Sequence, residues 1–211
     1  MGSVEASWEY AERYAGEDAV LIAARGRADE AGCDSVGAGT GAALRLLAAA
    51  IDAKAVMELG TGTGVSGTWL LRGMRADGVL TTVDIDAEHQ RLARQTFEAA
   101  GFAGPRVRLI NGAALEVLPR FADAAYDLVF VDAARGECSD YLSEALRLLR
   151  PGGLVAFDDA LGGGKVSDKS IADTRTQSLR NLGQQLLEDE RLVPALLPVG
   201  DGLLVAVRRA D

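Results

Sequence analysis

Five carboxylates in this chain sit within or just after short apolar runs, and their placement is where chemistry is to be sought. Glu58 stands in Ala55-Val56-Met57-Glu58-Leu59, directly ahead of Gly60, Gly62 and Gly64. Asp84 closes Leu80-Thr81-Thr82-Val83, and Asp132 closes Leu128-Val129-Phe130-Val131. Asp158 and Asp159 follow Leu154-Val155-Ala156-Phe157. A glycine turn lets a ligand approach bare backbone, and a helix starting beyond it offers unpaired N–H groups and a partial positive charge. An acid about twenty residues further on is placed to accept hydrogen bonds from ribose hydroxyls. Glu58, the glycines and Asp84 therefore read as a site for a nucleoside-bearing cofactor. If the strands ending in Asp132 and in Asp158-Asp159 are neighbours, three carboxylates come together and repel. A hard divalent cation (Mg²⁺, Ca²⁺ or Mn²⁺) is the usual remedy where no His or Cys is near. The plainer alternative is that these acids cap helices or face solvent.

Two cofactor classes must be weighed. Gly62-Thr63-Gly64-Val65-Ser66-Gly67 matches the dinucleotide pattern G-x-G-x-x-G, a weak signal by itself. Gly60, Gly62 and Gly64 also give G-x-G-x-G with an acid two residues before the first glycine, the arrangement of S-adenosylmethionine sites. A short-chain reductase would use a Tyr-x-x-x-Lys pair, whereas Tyr141 is followed by Ala145. S-adenosylmethionine is the better reading.

The elements that must position these residues alternate. Strands are expected at Ala55–Leu59, Val79–Asp84, Val107–Ile110, Asp127–Asp132 and Leu154–Phe157. Between and around them, helices are expected over Thr68–Met74, Ala87–Ala100, Ala113–Phe121, Asp140–Leu149 and Thr174–Glu190. Strand–helix alternation implies a parallel sheet with right-handed crossovers. Leu192–Val199 and Leu203–Arg208, joined by Gly200-Asp201-Gly202, read as a closing hairpin that adds one antiparallel strand. Ahead of the first strand, Ser3–Arg13 and Ala19–Ala31 read as helices that cap the cleft, meet a second copy of the chain, or merely cover a sheet edge. Gly32–Gly41 reads as a loop by its glycine content, with a helix over Ala42–Ala50. The expectation is a single domain over residues 1–211, with a helical cap at 1–50 and a cofactor-binding core at 51–211.

Composition narrows the partners. With 48% hydrophobic and 25% charged residues in 211, the chain can bury a real core. A net charge of −9 repels nucleic acid and anionic lipid, so neither is expected as a partner. Cys33 and Cys138 are far apart and outside metal spacing; they read as free thiols in a reducing, cytoplasmic setting. No apolar run reaches membrane-spanning length, and none reads as a signal peptide. His89 reads as a solvated helix position rather than a base.

MELGTGTGVSG, LTTVDIDAEH, DLVFVDAAR, LRPGGLVAFDDAL and LLPVGDGLLVAVR together resemble the catechol and caffeoyl-coenzyme A type O-methyltransferases, in order from about Val36 to Arg208. The look is that of an uncharacterised actinobacterial branch. The resemblance implies an α/β, Rossmann-like class I methyltransferase sandwich: seven strands, mostly parallel, with the antiparallel C-terminal hairpin. It also implies that Gly60, Gly62 and Gly64 approach the methionine part of S-adenosylmethionine, with Glu58 nearby and the backbone of Val36 in contact. Ser66 would bond the methionine carboxylate, Asp84 the ribose, and the backbone at Ala114 the adenine edge. Asp132, Asp158 and Asp159 fall on the metal positions, and a homodimer is implied.

Departures bear on the chemistry. Asp158-Asp159 stands where the family reads aspartate then asparagine, and Ala113 where aspartate is frequent. Arg135 stands where the family's lysine follows the first metal aspartate, Asp132. Arginine steadies an oxyanion but does not lose its own proton, so it is a poor base. The expected function is O-methylation of a small phenol- or catechol-like acceptor, with Asp132 and Arg135 nearest the reaction and a cation assisting. A metal-independent methyltransferase and a cofactor-binding protein with a degenerate site are the alternatives.

Overall fold

Successive residues of the central strands face different helical layers, and this alternation holds the site in place. In Leu128-Val129-Phe130-Val131, Leu128 and Phe130 join one apolar cluster while Val129 and Val131 join the other. Strands buried on both faces must be apolar throughout, which is why these runs are nearly continuous.

The computed structural model describes residues 3–102 and 104–210, apart from the side chain of Arg135. Helices α1 (Val4–Arg13), α2 (Ala19–Ala31) and α3 (Ala38–Ala50) precede β1 (Ala55–Leu59). Then follow α4 (Val65–Gly73), β2 (Val79–Asp84), α5 (Ala87–Ala99), β3 (Val107–Asn111), α6 (Ala114–Val117) and β4 (Tyr126–Val131). The chain continues through α7 (Cys138–Leu148), β5 (Leu149–Phe157), α8 (Thr174–Glu188), β6 (Leu192–Leu197) and β7 (Leu203–Arg208). The seven strands lie in the order β3-β2-β1-β4-β5-β7-β6, with β7 antiparallel to both its neighbours. Leu21, Leu44, Trp69 and Phe97, from α2 to α5, pack on one face of the sheet. Tyr141, Leu142, Leu179 and Leu182, from α7 and α8, pack on the other. Strand order reverses between β1 and β4, so the crevice for a ligand opens there, beyond the strands' carboxyl ends.

Several boundaries differ from the sequence expectation, and three of them have a clear local reason. Helix α3 begins at Ala38, inside the glycine stretch expected to be loop. Its N-terminus is capped from outside: Glu12 of α1 accepts from the Gly39 amide at 3.0 Å. A side chain at Gly41 would run into the Trp69 ring, so that glycine serves helix packing and not a turn. The helix expected over Ala113–Phe121 is α6 followed by a 3-10 turn, Leu118–Arg120, because Pro119 has no N–H to donate. Strand β5 starts at Leu149 and runs through Pro151-Gly152-Gly153, with an irregular register opposite Tyr126 to Leu128. There Arg150 donates to Asp127 at 2.5 Å, and Asp127 also accepts from the Lys54 and Ala55 amides at 2.7 Å.

Candidate functional site beyond the strand ends

A cavity of about 590 Å³ opens at the carboxyl ends of β1 to β4. One wall is the loop Cys33 to Val36; the floor is Gly60 to Thr63 with Val65 and Ser66; the far side is Gly112 to Glu116 and Asp132 to Ala134. Asp34, Asp84, Glu116, Asp132 and Glu137 all line it, so it suits a cationic ligand.

Asp84 organises the floor. Its Oδ2 accepts from the Thr61 and Gly62 amides at 3.0 and 2.9 Å, and its Oδ1 from the Asp86 amide at 2.9 Å. An ionised carboxylate has about four acceptor positions, so capacity remains for a ligand hydroxyl. The glycines are required by the protein itself as well as by any ligand. Gly60, at φ 96°, lies so close to the Asp132 carbonyl that no side chain would fit. Gly64, at φ 85°, presses against Ala93 and Phe97 and starts α4.

Glu58 lies beneath this floor and does not line the cavity. It is wholly buried, accepting from Ser66 Oγ at 2.7 Å and Thr82 Oγ1 at 2.6 Å. The Thr61 and Thr82 hydroxyls meet at 2.7 Å and tie this network back to the glycine loop. Burial pushes the Glu58 carboxyl up to about 8, against the pull of the Thr82 and Ser66 bonds; the charges of Asp132 and Asp84 add to the rise. Ser66 also lines the cavity, its hydroxyl bonded to Glu58 beneath the floor.

Val36, Gly60, Gly62, Ser66, Asp84, Ala114 and Asp132 are thus brought around one cavity, while Glu58 and Gly64 stand behind it. Asp132 follows β4, and Asp158 and Asp159 follow β5, its neighbour; Val131 pairs with Phe157. Asp159 takes a left-handed backbone at φ 53°, and its carboxylate lies 3.9 Å from Arg175. Among the described residues, no group of three or more His, Cys, Asp or Glu side chains is placed to hold a metal ion. Strand pairing sets the three expected carboxylates, Asp132, Asp158 and Asp159, at neighbouring strand ends. Arg135 opens a 3-10 turn, Arg135–Glu137, and its side chain lies outside the described residues.

Sequence reading missed several wall residues. His89, expected to be solvated, has its Nδ1 3.6 Å from Asp84 Oδ2 and lines the cavity. Its place one turn into α5 was the available signal. Cys33 also lines the cavity; burial, then the charges of Asp84 and Asp132, push its thiol up to about 11, so it is a neutral wall group. Tyr141 donates to Glu137 at 2.5 Å, and burial, followed by Glu137, holds its hydroxyl protonated.

This strand order, with a glycine loop after β1 and a carboxylate closing β2, defines the class I methyltransferase fold. The chain belongs to the O-methyltransferase family, whose model matches residues 27–209. It is accordingly an S-adenosylmethionine-dependent O-methyltransferase. A Mycobacterium tuberculosis protein bearing an O-methyltransferase name is 52% identical over 204 residues, 97% of this chain and 91% of that one. Among solved structures, a Corynebacterium glutamicum protein superposes with a TM-score of 0.90 at 31% identity, covering 97% of this chain and 98% of that chain. The Streptomyces achromogenes O-methyltransferase TomG, involved in tomaymycin synthesis and solved with S-adenosylmethionine, gives 0.87 at 30% identity, covering 99% and 100%.

Proposed function

We propose that this cavity binds S-adenosylmethionine and that the chain methylates the oxygen of a small phenol- or catechol-like acceptor beside Asp132. The observation that carries the reading is Asp84: one carboxylate, at the end of β2, both holds the glycine-loop amides and faces the cavity. Bound there, the cofactor supplies an electrophilic methyl group on a sulfonium. The chain supplies orientation. Asp84 keeps acceptor capacity for the ribose hydroxyls, the backbone at Ala114 meets the adenine edge, and the backbone of Val36 and the amides of Gly60 and Gly62 border the methionine end. The surrounding carboxylates favour a cationic ligand.

With arginine at position 135, no lysine is available there to take the acceptor's proton. The reaction is read as drawing on an acceptor that is already ionised, so its rate should rise with pH up to the acceptor's own pKa. A second reading, in which Mg²⁺, Ca²⁺ or Mn²⁺ is held by Asp132, Asp158 and Asp159, is favoured by the Val131–Phe157 pairing that sets them on neighbouring strand ends. We also read the chain as a cytoplasmic homodimer. Trp8 and Tyr10 on α1 and Tyr14 just after it are exposed, as are Val193 and Leu196 on the edge strand β6, and light scattering would report the mass.

The test is calorimetric titration of S-adenosylhomocysteine, with transfer assays on catechols by product mass, each with and without EDTA. Saturable binding and O-methylated product are expected, unchanged by chelator. Activity lost in EDTA and restored by cation would favour the second reading, and absence of any binding would overturn the cofactor assignment.

A further inference from the structure

The loop Cys33 to Val36 forms a cavity wall without regular secondary structure, so something else must hold it. That anchor is Arg25, in the middle of α2. Its Nη2 donates to the Val36 carbonyl at 2.6 Å and its Nη1 to Ser35 Oγ at 2.9 Å. The same guanidinium is gripped from behind by Glu17, with Nε and Nη2 donating to the two carboxylate oxygens at 2.7 Å each. Both side chains are largely shielded, at 26% and 12% exposed. A planar fork that satisfies a carboxylate with one edge and two loop acceptors with the other fixes position and angle together; a lysine ammonium cannot do both.

The wall is also tied to the floor. Cys33 Sγ lies within 3.2 Å of where a Gly62 side chain would begin, and Thr63 Oγ1 donates to the Ala24 carbonyl of α2 at 2.9 Å. A shift of the wall would therefore be felt where the ligand sits.

We infer that Arg25, aimed by Glu17, is a positioning residue that holds the Ser35–Val36 wall of the cavity in its ligand-binding place. This rests on the proposal that the cavity is the S-adenosylmethionine site. Arg25 does not line the cavity and acts through Val36.

The experiment compares Arg25→Ala, Arg25→Lys and Glu17→Gln with the intact chain. It measures the Kd for S-adenosylhomocysteine, KM for S-adenosylmethionine, kcat at saturation, and amide exchange over residues 33–37. Arg72→Ala is the control, since Arg72 pairs with Asp18 at the start of the same helix at 2.6 Å. Both Arg25 variants should raise Kd and KM roughly tenfold or more, leave kcat within about twofold, and speed exchange over 33–37. Glu17→Gln should do the same more weakly, and Arg72→Ala should not. Arg25→Lys retains charge and most of the packing, so it keeps the test valid if Arg25→Ala does not fold. Wild-type Kd and KM in a folded Arg25→Lys, with unchanged exchange, would overturn the inference. If the intact chain binds no S-adenosylhomocysteine, the cofactor assignment fails instead, and exchange over 33–37 alone decides the clamp.

Discussion

At the scale of single residues, two buried carboxylates do opposite things. Asp84 accepts from three backbone amides at the cavity floor, so its value lies in its acceptor oxygens. Asp84→Asn keeps the size but exposes loop amides to an NH₂ group. It should weaken S-adenosylhomocysteine binding about tenfold or more by calorimetry. Glu58 has its ionisation raised from 4.5 to about 8, so the folded state holds its proton more tightly than the unfolded chain. The sign follows: this contribution to stability is complete below about pH 4.5 and is lost as pH rises through about 8. Urea midpoints should fall between pH 5 and pH 8 in the intact chain, and Glu58→Gln should flatten that slope. A slope unchanged by Glu58→Gln would assign the pH dependence to other groups.

At the scale of elements, the glycines of α3 are read by what they touch. Gly41→Ala would drive a methyl group into Trp69 and should cost about 1–3 kcal/mol in denaturant unfolding, despite alanine's better helix propensity. Alternation of apolar runs made β1 to β4, β7 and their order of appearance legible in the sequence, because period and turn chemistry are local. The start of α3 was not legible, because the Glu12 cap comes from another helix, 27 residues away. The N-terminal part of β5 was hidden by Pro151-Gly152-Gly153, which reads as a break until Asp127 is seen anchoring Arg150. Within the site, Asp84 and the glycine loop could be found from spacing. Cys33 and the Arg25 fork could not, since only folding brings α2 and the loop after it to the cavity rim.

At the scale of the whole molecule, charge is the governing property. A chain of net charge −9, with acids lining the cavity, should attract a cationic cofactor faster than its neutral product. Association rates for S-adenosylmethionine by stopped flow should therefore fall as salt rises, and those for S-adenosylhomocysteine should change less. No helix among the described residues is long and apolar enough to cross a membrane.

The Glu12 carboxylate reaches the Gly39 amide with one oxygen and the Gly200 amide with the other, at 3.0 and 3.2 Å. The second contact spans 188 residues. During synthesis α1 therefore emerges long before the hairpin turn that completes its seat. It buries no residue of its own to hold it meanwhile. The Glu12 bridge between the start of α3 and the turn at Gly200 can therefore close only once the terminal hairpin has been made.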